Sequence, residues 1–346
     1  METNFNTSGI GINNGRFIGL PFTEDQAKIV MISVPWDVTV SYADGTSTGP
    51  ENILQASVQL DLYDPEIKNA WQLGIFLRPS NTDWKNLNDQ LRPLAKKYIA
   101  FLEDGGDISS NPEMANILKT INQKHEQLNE EVYQVAKQLL NRGQVAAVVG
   151  GEHSVPLGLL KALQEEHGPF GVLHIDAHMD LRQHYEGFTY SHASAFYNAI
   201  HLKYVDQMVQ VGIRDFCDQE VAFAKQNHIN VFYDFQLKNN QYQGKTWHQQ
   251  CLEIIEPLPQ KVYISFDIDG LNPQLCPNTG TPVAGGLEFN ESLYLIKLLV
   301  ESGRQIIGFD LCEVGGLGNE WDGNVGARIL YKLCNWTGQS NGMIQR

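Results

Sequence analysis

The sequence predicts an α/β fold, a doubly wound and mostly parallel sheet with helices on both faces. Three observations point there. Unbroken Val/Ile-rich runs alternate with segments of helical periodicity over most of the chain, and strands without polar alternation suit a parallel sheet covered on both sides. Glycine pairs such as Gly150-Gly151, Gly285-Gly286 and Gly315-Gly316 punctuate the ends of these runs as tight turns. The chemically informative residues follow apolar runs directly, at the strand ends where such sheets bind ligands.

In chain order, Ile29–Val34 reads as a buried strand that ends in Pro35-Trp36-Asp37 and a loop over Ser41–Pro50. Trp84, Leu87, Leu91, Leu94, Tyr98 and Leu102 recur at spacings of three and four, which predicts a helix from Trp84 to Leu102. A second helix runs from Pro112 to about Asn141, with Asn111 as its N-cap and Pro112 in its first turn. Strand–loop–helix units follow: a strand at Val145–Val149, a loop at Gly150–Ser154 and a helix at Val155–His167. Gly171–Ile175, Met208–Val211, Asn230–Tyr233, Val262–Phe266 and Gln305–Phe309 read as further strands. No Ser/Gly- or Pro-rich linker splits the chain, so one domain over residues 1–346 is expected.

The formal charge of −15 argues against nucleic acid and anionic membranes as partners and suits metal ions or a small cationic substrate. Cys217, Cys251, Cys276, Cys312 and Cys334 are scattered and lack a C-x-x-C pair. They fit neither a disulfide framework nor a zinc site, and a cytoplasmic home is expected. The polar N-terminus has no signal-peptide pattern, and no apolar run is long enough to span a bilayer.

The chemistry begins at Asp176-Ala177-His178-Met179-Asp180. In extended chain, alternate side chains share a face, so Asp176, His178 and Asp180 converge as the strand runs out. Asp267 and Asp269 repeat the pattern after Val262–Phe266. Paired carboxylates at the end of a buried strand repel and lose solvation unless a cation balances them. The two clusters together hold four carboxylates, which two divalent ions would neutralise and one would not. His153 follows Gly150-Gly151-Glu152 at a third strand end. A lone histidine there would be structural, but beside two aspartate clusters it becomes a candidate ligand.

In order and spacing, four motifs resemble those of the ureohydrolase family, which includes arginase, agmatinase, guanidinobutyrase, formimidoylglutamase and guanidine hydrolase. They are GGEHS at 150–154, DAHMD at 176–180, SFDIDGLNP at 265–273 and GTPVAGG at 280–286. The resemblance implies a three-layer arginase-type fold. It also implies a binuclear centre on His153, Asp176, His178, Asp180, Asp267 and Asp269, with Asp180 or its neighbours bridging. Manganese is the expected metal and nickel the alternative; imidazole and carboxylate suit both. The implied reaction is attack of a metal-activated water on a guanidinium carbon, releasing urea and an amine. His192 resembles the family's proton-shuttle histidine, with His184 as a competing solvated-loop residue. Glu313 resembles the guanidinium clamp, and Thr281 a residue near the substrate. The resemblance further implies a homo-oligomer, trimeric or hexameric.

Several positions bear on the substrate. Arg182 stands where arginases carry Asn, and Cys217 where they carry an Asp for the α-amino group, although Glu220 is kept. The run from Asp180 to Ala193 is similar to agmatinase-like members, so a substrate without the amino-acid head is expected, agmatine or free guanidine. Arginine is the alternative, as is guanidinobutyrate, whose carboxylate Arg182 would pair. A helical insertion at about 75–131 and a loop at 315–323 depart from ordinary agmatinases. Trp321, Tyr185, Tyr190 and Trp36 are candidates for closing a small pocket over a planar cation. Two rival classes remain: a single-metal deacetylase of the same fold, and a non-catalytic regulatory paralogue. The deacetylases lack His153 and Asp269, which this chain keeps, and regulatory paralogues usually lose ligands, of which none is lost here.

Overall fold

The computed structural model describes residues 5–344; the first four residues of the polar N-terminus lie outside the described residues. Eight strands form one sheet: β1 (Ile29–Val34), β2 (Ile75–Leu77), β3 (Val145–Gly150), β4 (Phe170–Ile175), β5 (Val205–Ile213), β6 (Asn230–Tyr233), β7 (Lys261–Asp267) and β8 (Gln305–Cys312). Their order is β2-β1-β3-β8-β7-β4-β5-β6. Every pairing is parallel, so the sheet expected to be mostly parallel is wholly so. β2 carried no usable sequence signal because its three residues are too few to show a period. β5 begins three residues before the expected strand because Asp206 and Gln207 interrupt the apolar run there.

The α-helices are α1 (Gly49–Ser57), α2 (Thr82–Glu103), α3 (Pro112–Asn141), α4 (Leu157–His167), α5 (Ala195–Ile200), α6 (Asp218–Gln226), α7 (Asp234–Tyr242), α8 (Trp247–Ile255), α9 (Phe289–Glu301) and α10 (Glu320–Ser340). Asn81 caps α2 by accepting from the amides of Asp83 and Trp84, and Asn111 caps α3 by accepting from Met114. α4 starts at Leu157 rather than Val155, because Pro156 is its N-cap and Val155 turns inward against Gly150.

Alternate strand residues feed two separate cores. Ile29, Met31, Ala147 and Ile264 pack with α1, α8, α9 and α10 on one face. Val30, Ile32, Val148 and Val172 pack with α2, α3, α4 and α5 on the other. Burial on both faces is the reason the strands read as continuous apolar runs. β3 and β4 are consecutive in the chain, yet β8 and β7 lie between them in the sheet. That reversal of winding opens a crevice at the carboxyl ends of these four strands.

Candidate metal centre and pocket

The four central strands deliver the candidate ligands. β3 leads through Gly150 and Gly151 to His153. A Cβ on Gly151 would lie 2.1 Å from the Trp36 carbonyl oxygen, and one on Gly150 would lie 2.6 Å from Cys312 Sγ. Glycine therefore lets the chain turn between the ends of β1 and β8. β4 delivers Asp176, His178 and Asp180, and β7 delivers Asp267 and Asp269.

His153 Nδ1 lies 3.0 Å from Asp176, 3.2 Å from Asp180 and 3.2 Å from Asp267. His178 Nδ1 lies 3.1 Å from Asp269 and 3.5 Å from Asp176. The structure thus brings all six candidate ligands together. The ligand atoms of His153, His174, Asp176 and Asp180 form one group within 4.8 Å of one another, and those of Asp176, His178 and Asp269 form another. Asp176 belongs to both groups, and Asp180 to the first.

His174 was not singled out as a site residue, although it lies two positions before Asp176 on the same strand face. Gln210 donates to its Nδ1 at 3.0 Å, which leaves Nε2–H to donate to Asp176 at 2.7 Å. On the far side of His153, Nε2 lies 2.8 Å from Ser265 Oγ. Ser265 Oγ donates to Asp310 at 2.7 Å, and the Tyr263 hydroxyl donates to the same oxygen at 2.6 Å. This buried relay holds the imidazole with Nδ1 toward the aspartates.

The crowded charges show in the ionisation of the site. Burial, then Asp269 and Asp176, raise Asp267 well above the usual carboxylate range. Burial, then Asp176, push Asp180 up to about 7. Burial opposes charging of His153, yet hydrogen bonds to Asp176, Asp180, Asp267 and Asp310 outweigh it and hold the imidazole well above its ordinary value. Protons are thus retained where carboxylates face one another, and these are positions a divalent cation would fill. Oxygen and imidazole donors at this spacing fit a pair of such ions.

Above the cluster is a cavity of about 150 Å³ lined by residues that include Ser41, His178, Asp180, His192, Asp215 and Thr281. His192 is half-buried; its Nε2 lies 3.5 Å from Ser41 Oγ, and its amide donates to Thr39 Oγ1 at 3.3 Å. Burial, then the nearby His178, push its imidazole down to about 3, so it rests neutral. Thr281 Oγ1 donates to Asp269 at 3.4 Å. Glu313 has one oxygen on the His153 amide at 2.9 Å, while Oε2 is buried without a partner. Burial, then Glu152, raise its carboxyl well above the ordinary range.

Glu220 lines the cavity, but its oxygens already accept from the amides of Leu181 and Cys217 at 3.1 and 3.0 Å. It anchors the loop and caps α6. Arg182 also lines the cavity, 3.8 Å from Glu220 and 4.9 Å over the Tyr185 ring. His184 is exposed.

The expected aromatic box is largely corrected. Trp321 is 55% exposed, donates its indole N–H to the Gln274 carbonyl and does not line the cavity. In the first turn of α10, Asp322 points inward to the Asn278 amide, and one residue of helix turns Trp321 outward. Trp36 is buried against His125, and Tyr190 packs on that same ring; neither reaches the cavity. Tyr185 alone of the four lines it. Besides His174, the sequence reading passed over Ser41, Glu152 and Asp310. Glu152 is buried and holds Thr39 through its amide and hydroxyl at 2.8 and 2.9 Å.

A family profile described as "Arginase family" matches residues 27–334. The chain belongs to the arginase family. It is 29% identical over 321 residues to an N(1)-aminopropylagmatine ureohydrolase from Synechocystis sp., covering 91% of this chain and 90% of that one. It is 27% identical over 325 residues to a guanidinobutyrase from Pseudomonas aeruginosa, with 90% and 87% covered. The crystal structure of agmatine ureohydrolase of Thermoplasma volcanium shares the fold, with a TM-score of 0.70 at 21% identity, covering 96% of this chain and 97% of that one. This arginase-family member is therefore a ureohydrolase of agmatinase type, a hydrolase of amidino C–N bonds in a family of binuclear metal enzymes. Among the described residues, no helix is long and apolar enough to cross a membrane.

Proposed function

We propose that the chain releases urea from a small guanidino amine, using two divalent ions held by His153, Asp176, His178, Asp180, Asp267 and Asp269. The observation that carries this reading is the convergence of the six side chains beneath the cavity, with His153 Nδ1 within 3.2 Å of Asp176, Asp180 and Asp267 and His178 Nδ1 within 3.5 Å of Asp176 and Asp269. When bound, two such ions lower the pKa of a shared water and so supply a nucleophile at neutral pH. Glu313 binds the guanidinium, its free Oε2 accepting from the planar cation while Oε1 stays on the His153 amide. His192, neutral at rest, accepts the proton that the attacking water gives up and passes it to the leaving nitrogen. Thr281 lines the approach and steadies Asp269.

Manganese is the favoured metal and nickel the second. The substrate reading favours a linear guanidino amine such as agmatine. Of the four candidate aromatics only Tyr185 lines the cavity, together with Phe216, and Asp215 there offers a carboxylate to a distal ammonium. Arg182 in the same lining supports a second reading, guanidinobutyrate, because its guanidinium would pair with a carboxylate tail. Five cysteines, all free, support a cytoplasmic location. Exposed Tyr63, Tyr242 and Phe235 offer surface for the homo-oligomer expected of the family.

The test is a urea-release screen over agmatine, aminopropylagmatine, guanidinobutyrate, arginine and guanidine, each with Mn²⁺ and with Ni²⁺, alongside metal content per chain. Asp267→Ala is expected to lose metal and urea release together. Two bound ions with no urea from any guanidino compound would overturn the reading.

A further inference from the structure

The hairpin of α2 and α3 covers one face of the sheet, and its inner side chains do more than fill the core. Arg92, in the middle of α2, is only 8% exposed. Its Nη1 donates to the carbonyls of Val38 at 2.9 Å and Val40 at 2.7 Å. One turn earlier, Asn88 accepts from the Asp37 amide at 2.8 Å. Helix α2 therefore grips the segment after β1 at three successive points. A buried guanidinium committed to backbone carbonyls fixes loop shape with charge-assisted bonds.

That segment leads straight to His192. Thr39, between the two gripped carbonyls, accepts from the His192 amide, and Ser41 Oγ lies 3.5 Å from His192 Nε2. The other loop reaching His192 is held by the same hairpin. The Tyr98 hydroxyl donates to the Glu186 carbonyl at 2.9 Å. Asn122, on α3, donates to the Gly187 carbonyl at 3.1 Å and accepts from the Thr189 amide at 3.0 Å. Glu186 and Gly187 have φ of 53° and 83°, a left-handed pair that an unbraced loop would tend to relax.

We propose that Arg92 is a positioning residue for His192, acting through Val38–Ser41, and that the α2–α3 hairpin clamps both loops that set the imidazole in the pocket. The proposal rests on the reading of His192 as the proton carrier. A proton carrier acts in the transition state, so misplacing it lowers kcat and leaves KM little changed. A shift of an ångström in such a group costs on the order of 100-fold.

The experiment compares Arg92→Met, Arg92→Lys and Asn122→Ala with Leu94→Ala, a control on the exposed side of α2, all as full-length manganese-loaded protein. Arg92→Met is expected to lower kcat roughly 10- to 100-fold at unchanged metal content and nearly unchanged KM. Arg92→Lys should recover part of the loss. Amide hydrogen exchange should quicken in peptides covering residues 37–45 and 185–193 and stay slow in β3 and β4. Unchanged exchange in both loops overturns the clamp. Faster exchange at unchanged kcat overturns the positioning role, as does metal loss in parallel with kcat. If Arg92→Met does not fold, Arg92→Lys carries the test of Arg92, and Asn122→Ala tests the clamp on the 187–189 loop from a partly exposed position. If the wild-type chain releases no urea, the proposed function fails while the exchange data still decide the clamp.

Discussion

Gly280→Ala tests the guanidinium clamp without touching a charge or a candidate ligand. Gly280 is not among the positive-φ glycines, so alanine can take its backbone conformation. The added Cβ, however, would stand 2.8 Å from Glu313 Oε2 and 3.5 Å from the Ala43 carbonyl oxygen. An ordinary carbon–oxygen contact is roughly 3.3 Å or more, so something must give by about 0.5 Å. Glu313 Oε1 is fixed on the His153 amide, so the carboxylate pivots there and Oε2, buried behind the cavity lining, is displaced. One hydrogen bond between charged groups is worth about 1.5–3 kcal/mol. Its loss predicts a fall in kcat/KM of roughly 10- to 100-fold. Steady-state urea release supplies the number, and metal content and melting temperature show that centre and fold persist. Glu313→Gln, which keeps the shape and removes the charge, should show a loss of the same order. A Gly280→Ala enzyme with wild-type kcat/KM at wild-type metal content would refute Glu313 as the clamp.

One buried acid and one half-buried acid give two further predictions. Asp310→Asn removes the carboxylate that orients His153 through Ser265, and metal affinity should fall roughly 10- to 100-fold; a competition titration with a chelating dye reads this directly, and unchanged affinity would sink the relay. Glu186 is pushed up to about 7 by burial and by Glu103, against a smaller opposing effect of Arg92. The folded chain therefore holds a proton the unfolded chain has released, a stabilisation complete below pH about 4.5 and lost as pH rises through about 7. Glu186→Gln keeps the neutral shape. Allowing for partial exposure, it should stabilise the protein by about 1 kcal/mol at pH 8 and by nothing at pH 4. Thermal melts at the two pH values test this, and an equal gap at both would count against it.

The legible parts of the site are those where local spacing and strand geometry coincide. Asp176, His178 and Asp180 alternate along one strand exit, and Asp267 and Asp269 along another, so each set had to converge wherever its strand ended. His153 needed the glycines before it and the other clusters beside it. Less legible were residues whose partners lie far along the chain. Arg92 meets Val38 across 54 positions, and Ser41 meets His192 across 151, and no periodicity records such a meeting. Trp321 was misjudged for a related reason. Its aromatic ring in the divergent 315–323 loop suggested a pocket wall, but the rotation of α10 sets its direction, and the inward position belongs to Asp322.

Backbone strain shows how the distant scaffold and the site depend on each other. Six non-glycine residues among those described have positive φ, and Asp180, Glu186 and Glu313 are three of them. Each is held by a hydrogen bond from outside its own turn. The Asp180 carbonyl accepts from the amides of Phe196 and Tyr197 at 3.0 and 3.1 Å, the Glu313 amide donates to the Gly151 carbonyl at 2.8 Å, and Tyr98 holds Glu186. Left-handed backbone at such residues costs on the order of 1–3 kcal/mol and persists only where the surroundings over-determine it. A candidate ligand, the proposed clamp and the bend before His192 are thus each set by a neighbouring element rather than by local preference. The centre is preorganised because the sheet order brings β3, β8, β7 and β4 together and the hairpin braces the loops above them. Changes that loosen α2 or α3 should therefore reach the chemistry before they reach the fold.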